Sequence, residues 1–160
     1  MTEEKFCEII GLYRESVFRT AYCYTKNSSD SEDITQDVFL KLYTYTGTFG
    51  SDEHIKAWLL RCTVNRCKNL VKSYWYRFSQ AIDENTENIP EQDRRDSILP
   101  LIMKLKPKLR TVLYMYYFEE YTVKEIAEII GESRTVVTTR LSRGRKKLKE
   151  LLIKEGYDEL

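Results

Sequence analysis

Apolar residues in this chain recur at i, i+3 and i+4, and no stretch alternates apolar with polar residues. That period puts apolar side chains on one stripe of an α-helix and offers nothing to a half-buried strand. Glycine and proline, which punctuate helices, number only six and three in 160 residues. The sequence therefore predicts an all-α fold. A first helix spans 3–26, with Phe6, Ile9, Ile10, Tyr13, Val17 and Ala21 on its apolar side. "SSDSED" supplies an N-cap and first-turn acids for a second, at about 30–45. "TGTFGSD" (46–52) reads as a turn, with Gly47 and Gly50 bracketing Phe49, and a third helix runs over about 52–74.

Residues 79–96, "SQAIDENTENIPEQDRRD", are polar and acidic and show no apolar period. They mark a flexible acidic linker between two small helical domains, 1–78 and 97–160. Fully extended, the linker reaches ~60 Å, more than one turn of DNA at ~34 Å. Beyond it the pattern predicts helices at about 97–105, 108–118, 122–130 and 133–153, with Pro107 starting the second of these.

Composition narrows the function. With 42% hydrophobic and 32% charged residues the chain reads as soluble, and its longest apolar run, Val112 to Phe118, is far short of a membrane span. The acidic start "MTEEKFCEII" does not read as a signal peptide, so the expected location is cytoplasmic, with no direct membrane insertion. Cys7, Cys23, Cys62 and Cys67 form no C-x-x-C, and His54 is the single histidine. Those spacings do not fit the usual zinc sites. No Gly-rich phosphate loop is present, so no metal, cofactor or catalytic residue is expected, and an enzyme is not the reading.

The net charge of +1 hides an uneven distribution: residues 1–60 sum to −4, 61–82 to +5, 83–100 to −4 and 101–160 to +4. Two basic segments suit a partner charged along its length, such as nucleic acid. The second is the more specific. In "TVKEIAEIIGESRTVVTTRL" Ile126, Ala127 and Ile130 give one helix its buried side, Gly131 a left-handed turn and Ser133 the next N-cap. From Arg134 to Lys149 there are seven Lys/Arg and no acid. Val137, Leu141, Leu148 and Leu151 face the core; Thr135, Thr139, Ser142, Arg143 and Lys146 lie opposite. Hydroxyls at the N-terminal end and cations further along suit a helix-turn-helix whose second helix enters the major groove.

The first half carries two unusual faces. On the second helix Ile34, Val38, Leu42 and Tyr45 form the buried stripe, while Leu40 sits opposite among Asp33, Gln36, Asp37 and Thr44. This is either a protein-docking patch or one ordinary exposed leucine. On the third helix Leu59, Leu60, Val64, Cys67 and Val71 are expected to be buried. Trp58, Arg61, Asn65, Lys68, Asn69 and Lys72 share the other face. Cations, amides and an exposed ring suit single-stranded nucleic acid; the competing reading is a basic helix with Trp58 packed under a loop. "YWYRF" (74–78) reads as stacking rings or as domain packing.

Taken in order, these motifs resemble a bacterial RNA polymerase sigma factor of the extracytoplasmic-function (ECF) group. "SEDITQDVFLKLY" (31–43) resembles the family's acidic helix that docks on the polymerase clamp coiled coil. "KAWLLRCTVNRCKNLVKS" (56–73) resembles its promoter-melting helix, and residues 105–152 its C-terminal domain that reads the −35 element. The resemblance implies that Asp33, Gln36, Asp37 and Leu40 meet core polymerase, with clamp and flap as partners. It implies that Lys56, Trp58, Arg61, Asn65, Lys68, Asn69 and Lys72, with the Phe49 loop, hold the melted −10 strand. It further implies that Ser133, Arg134, Thr135, Thr138, Thr139, Arg140, Ser142, Arg143, Arg145 and Lys146 meet the −35 duplex. Thr138 stands where the family often has Lys or a longer polar residue, and Asn69 where Asp is frequent. The family also suggests an anti-sigma factor, often membrane-linked. A stand-alone helix-turn-helix regulator is the alternative; it leaves the acidic face and the Trp58 face without a role.

Overall fold

The Thr2 hydroxyl accepts the Lys5 N–H at 3.1 Å and starts α1 (Glu3–Thr25), whose first turn carries Glu3 and Glu4. Both acids sit at the positive end of the helix dipole. α1 stops where Lys26 turns left-handed at φ 50° and its N–H bonds to Tyr22 O. The next cap is Asn27, one residue before the expected "SSDSED". Its side chain accepts the Asp30 N–H at 2.9 Å and starts α2 (Ser28–Thr44). α3 runs over Asp52–Phe78, so "YWYRF" continues the helix backbone instead of ending it.

A computed structural model describes residues 1–78 and 98–156, with side chains of 74–78 outside the description. The expected linker, 79–96, lies outside the described residues, as do the contacts of "YWYRF". The chain divides into two compact units, Met1–Asn85 and Thr86–Leu160. Among the described residues every regular element is a helix.

In the first unit α1 packs on both α2 and α3. Ile9, Val17 and Ala21 of α1, Ile34, Val38 and Leu42 of α2, and Leu59, Leu60, Val64 and Cys67 of α3 are all buried. Each Ile, Leu or Val among them contributes about 1.5–3 kcal/mol by leaving water. Two expected core positions differ. Tyr45 is 40% exposed because α2 ends at Thr44 and the chain turns extended there. Val71 is only half-buried.

The first described helix of the second unit is α4 (Leu99–Ile102), within the expected 97–105, whose first residue lies outside the described residues. Beyond Ile102 the chain tightens into i→i−3 bonds, Lys104 N–H to Leu101 O at 3.1 Å and Leu105 N–H to Ile102 O at 3.0 Å, and Lys106, before Pro107, is extended at ψ 149°. α5 (Pro107–Tyr117) follows with Pro107 in its first turn. Arg110 is buried, and its Nη1 donates to Leu105 O at 2.9 Å, covering a carbonyl in the α4–α5 connection. α6 (Val123–Ile130) opens with a capping box: Thr122 Oγ1 accepts the Glu125 N–H at 3.2 Å, and Glu125 Oε1 accepts the Thr122 N–H at 3.0 Å. Gly131 ends α6 at φ 73°, and α7 (Arg134–Lys154) starts after the Ser133 cap. Val137, Leu141, Gly144, Leu148 and Leu152 of α7 are buried, whereas Leu151 is half-buried. The stripe is thus centred slightly away from Leu151, towards α5.

Candidate nucleic-acid interface

α6, the Gly131 turn and α7 build the expected helix-turn-helix. Ser133 Oγ accepts the Val136 N–H at 3.2 Å, and the first turn of α7 holds no acid. Burial of Val137, Leu141 and Leu148 turns Arg134, Thr135, Thr138, Thr139, Ser142, Arg143 and Lys146 to the surface, where all are exposed. Hydroxyls can meet base edges, and the cations can neutralise phosphates. Two arginines of the set are engaged within the chain. Half-buried Arg140 lies 3.6 Å from Glu132, and Arg145 donates from Nε to Tyr117 Oη at 2.7 Å.

On α3 Arg61, Asn65, Asn69 and Lys72 are exposed, while Lys56 and Lys68 are half-buried. Trp58 departs from the expectation of an exposed ring. It is half-buried in a three-ring cluster, 4.9 Å from the Tyr45 ring and 5.6 Å from the Phe49 ring, with Tyr45 and Phe49 5.0 Å apart. Lys41 Nζ lies 5.8 Å from the indole centroid. The 46–51 turn therefore folds back onto α3. A Cβ at residue 47 would lie 2.4 Å from the Tyr45 ring, so any side chain there would require that ring to move. Trp58 thus supports the Phe49 loop, and the loop and the Arg61–Asn65–Asn69 row belong to the same helix–loop unit. Lys41 was missed from the sequence and Tyr45 was read as core of α2, although the aromatic density of "YTYTGTF" is a signal for such a cluster.

On α2 Asp33, Gln36, Asp37 and Leu40 are all exposed, Leu40 at 61%. Asp37 Oδ2 accepts from Arg66 Nε at 3.1 Å, joining the acidic face of α2 to α3. Tyr43, also missed, is 66% exposed one turn beyond Leu40, and its ring meets Phe6 edge-on at 5.2 Å.

Cys62 and Cys67 are buried and poorly placed to act as nucleophiles. Burial pushes the Cys62 thiol up, with Lys41 acting in the opposite sense, and burial raises Cys67 further. Among the described residues no group of three His, Cys, Asp or Glu is placed to hold a metal ion, and no helix is long and apolar enough to cross a membrane.

Residues 9–77 match Sigma-70 region 2, and residues 95–148 match Sigma-70, region 4. The chain is 26% identical over 170 residues to the ECF RNA polymerase sigma factor SigW of Bacillus subtilis (strain 168), covering 94% of this chain and 90% of that protein. It is 26% identical over 148 residues to the sigma factor SigV of the same organism, covering 89% and 88%. In fold it resembles the sigma factor RpoE solved with the anti-sigma factor NepR from Bartonella quintana, at TM-score 0.78 and 20% identity over 93% of this chain and 97% of that one. It also resembles CnrH solved with the cytosolic domain of CnrY, at TM-score 0.66 and 25% identity over 97% and 92%. An acidic helix and a cation–amide helix lie within the first match, and a helix-turn-helix within the second, so the chain belongs to the sigma-70 family of RNA polymerase sigma factors, in its ECF group.

Proposed function

We propose that the chain directs promoter-specific transcription initiation as a dissociable subunit of RNA polymerase, with one task on each of three helices. α2 docks on core polymerase through Asp33, Gln36, Asp37 and Leu40. α3 and the Phe49 loop hold the melted −10 strand. Arg61, Asn65 and Asn69 supply the contacts, and Trp58 holds the loop in place. The exposed face of α7, from Arg134 to Lys146, reads the −35 duplex. The observation that carries this reading is the separation of chemistry: exposed acids on α2, a cation–amide row on α3, and hydroxyls followed by cations on α7. A stand-alone regulator would use α6 and α7 and leave the other two faces without a task.

The chain itself performs no catalysis in this scheme; the polymerase makes the bonds. It works in the cytoplasm, and an anti-sigma factor is the partner proposed to hold it inactive, at the membrane where that partner is membrane-linked. Run-off transcription with purified core polymerase and genomic fragments tests the reading. Discrete transcripts that depend on the chain are expected. Their absence, together with failure to co-purify with core polymerase, would overturn it.

A further inference from the structure

One cation of α7, Arg145, is held by aromatic side chains of the chain itself. Arg145 Nε–H donates to Tyr117 Oη at 2.7 Å, and its guanidinium carbon lies 5.3 Å from the Tyr116 ring and 5.7 Å from the Tyr117 ring. Both tyrosines stand at the C-terminal end of α5, and their rings meet edge to face at 5.0 Å. An exposed arginine ordinarily loses rotamer freedom when it binds; this one is ordered beforehand. Among the described residues no carboxylate pairs with it. A guanidinium has five N–H donors, so the bond to Tyr117 leaves the terminal nitrogens available. Tyr117 Oη accepts that bond, which leaves its own O–H to donate, and the residue is 49% exposed. A charged donor and a neutral donor side by side, with no acid between them, suit an anionic oxygen.

The position matches a backbone phosphate. Thr138, Ser142 and Arg145 follow at i, i+4 and i+7, so they share one flank of α7. Arg145 lies about 10 Å along the axis from Thr138, comparable to the major-groove width of about 12 Å. When Thr138 meets base edges, Arg145 stands at the groove wall, where the phosphates are.

We propose that Tyr117 and Arg145 together grip one backbone phosphate of the duplex that α7 enters. Tyr117 is both a second donor and the positioning residue for Arg145. The proposal rests on the DNA-facing assignment of α7. It is tested with the full chain and a short mixed-sequence duplex, by fluorescence anisotropy across a KCl series.

Each phosphate contact contributes about 0.9 to the slope of log affinity against log salt, so Arg145→Ala should lower the slope by about that amount. Tyr117→Phe keeps the ring and removes the hydroxyl; it should weaken binding about 3–10-fold. In an Arg145→Ala background the same change should fall within about twofold, because the two act as a pair. Unchanged affinity and slope in Tyr117→Phe would overturn the proposal. So would a lowered urea midpoint with an unchanged slope, which marks a purely structural contact, or an equal effect in both backgrounds. Arg143→Ala is the reference. If it lowers the slope and Arg145→Ala does not, the phosphate grip alone fails. If neither does, the assignment of α7 fails and the proposal with it.

Discussion

Gly131 sits at φ 73°, and a Cβ built there meets nothing within 4 Å. The cost of replacing it is therefore backbone strain alone. An L-residue in the left-handed region costs roughly 1–2 kcal/mol, so Gly131→Ala should lower stability by about 1 kcal/mol or slightly more, read as a shift of the urea midpoint. Gly11 gives the opposite sign. It lies in α1, is exposed, and also has open space around its Cβ position. There alanine should raise stability by up to about 1 kcal/mol through helix propensity. Equal shifts at both sites would mean that the turn does not depend on the left-handed residue. At this scale the sequence was legible wherever backbone chemistry is local: Gly131, Ser133 and Pro107 each act on their immediate neighbours. Arg110, Tyr117 and Tyr45 were not legible, because their partners become adjacent only when helices and turns pack.

At the scale of helices, α2 and α3 are joined by the Asp37–Arg66 pair, whose side chains are 48% and 43% exposed. An exposed pair of this kind contributes about 0–1 kcal/mol. Changing Asp33 and Asp37 together to lysine should therefore leave the fold intact while abolishing core-polymerase binding in a pull-down; unchanged affinity would remove α2 as the docking helix. On α3, Arg61, Asn65 and Asn69 stand at i, i+4 and i+8, about 6 Å apart along one face. An amide can bond a Watson–Crick edge only when that edge is unpaired. Asn65→Ala should spare core binding, slow strand opening and cost roughly 1–3 kcal/mol per lost base contact. A template with a pre-opened bubble should recover much of the lost transcription. An equal defect on bubble and duplex would assign Asn65 to reading the captured strand instead of opening it, and normal activity on both would end the single-strand assignment of this face.

For the molecule as a whole, the core of the second unit is supplied by its own helices. Ile102, Leu113, Met115, Ile126, Ile130, Val137 and Leu141 are all buried, and α4, α5 and α6 each contact a helix of the same unit. Residues 97–160, produced alone, should therefore give a helical circular-dichroism spectrum and a cooperative urea transition. A segment of about 60 residues buries a smaller share of its surface than a full-sized domain, so its stability should be a few kcal/mol. It should bind duplex DNA weakly and with a steep salt dependence, because the basic run of α7 neutralises phosphates. An unfolded segment would show that this core needs the rest of the chain.

The sequence by itself determined the fold class, the approximate helix positions and the turn between α6 and α7. These follow from apolar period, caps and breakers, all of which act within a few residues. It also identified the sides of α2, α3 and α7 turned away from their cores, since one buried stripe fixes the opposite face. Tertiary structure decided what covers those faces. Trp58 lies on the outer side of α3 by periodicity, yet the 46–51 turn folds over it with Tyr45 and Phe49. Arg145 reads as one of seven interchangeable cations, yet α5 brings Tyr117 to its Nε across 28 positions of sequence. Periodicity assigns a side of a single helix. Whether that side is bare, covered or pinned depends on chain that arrives from elsewhere.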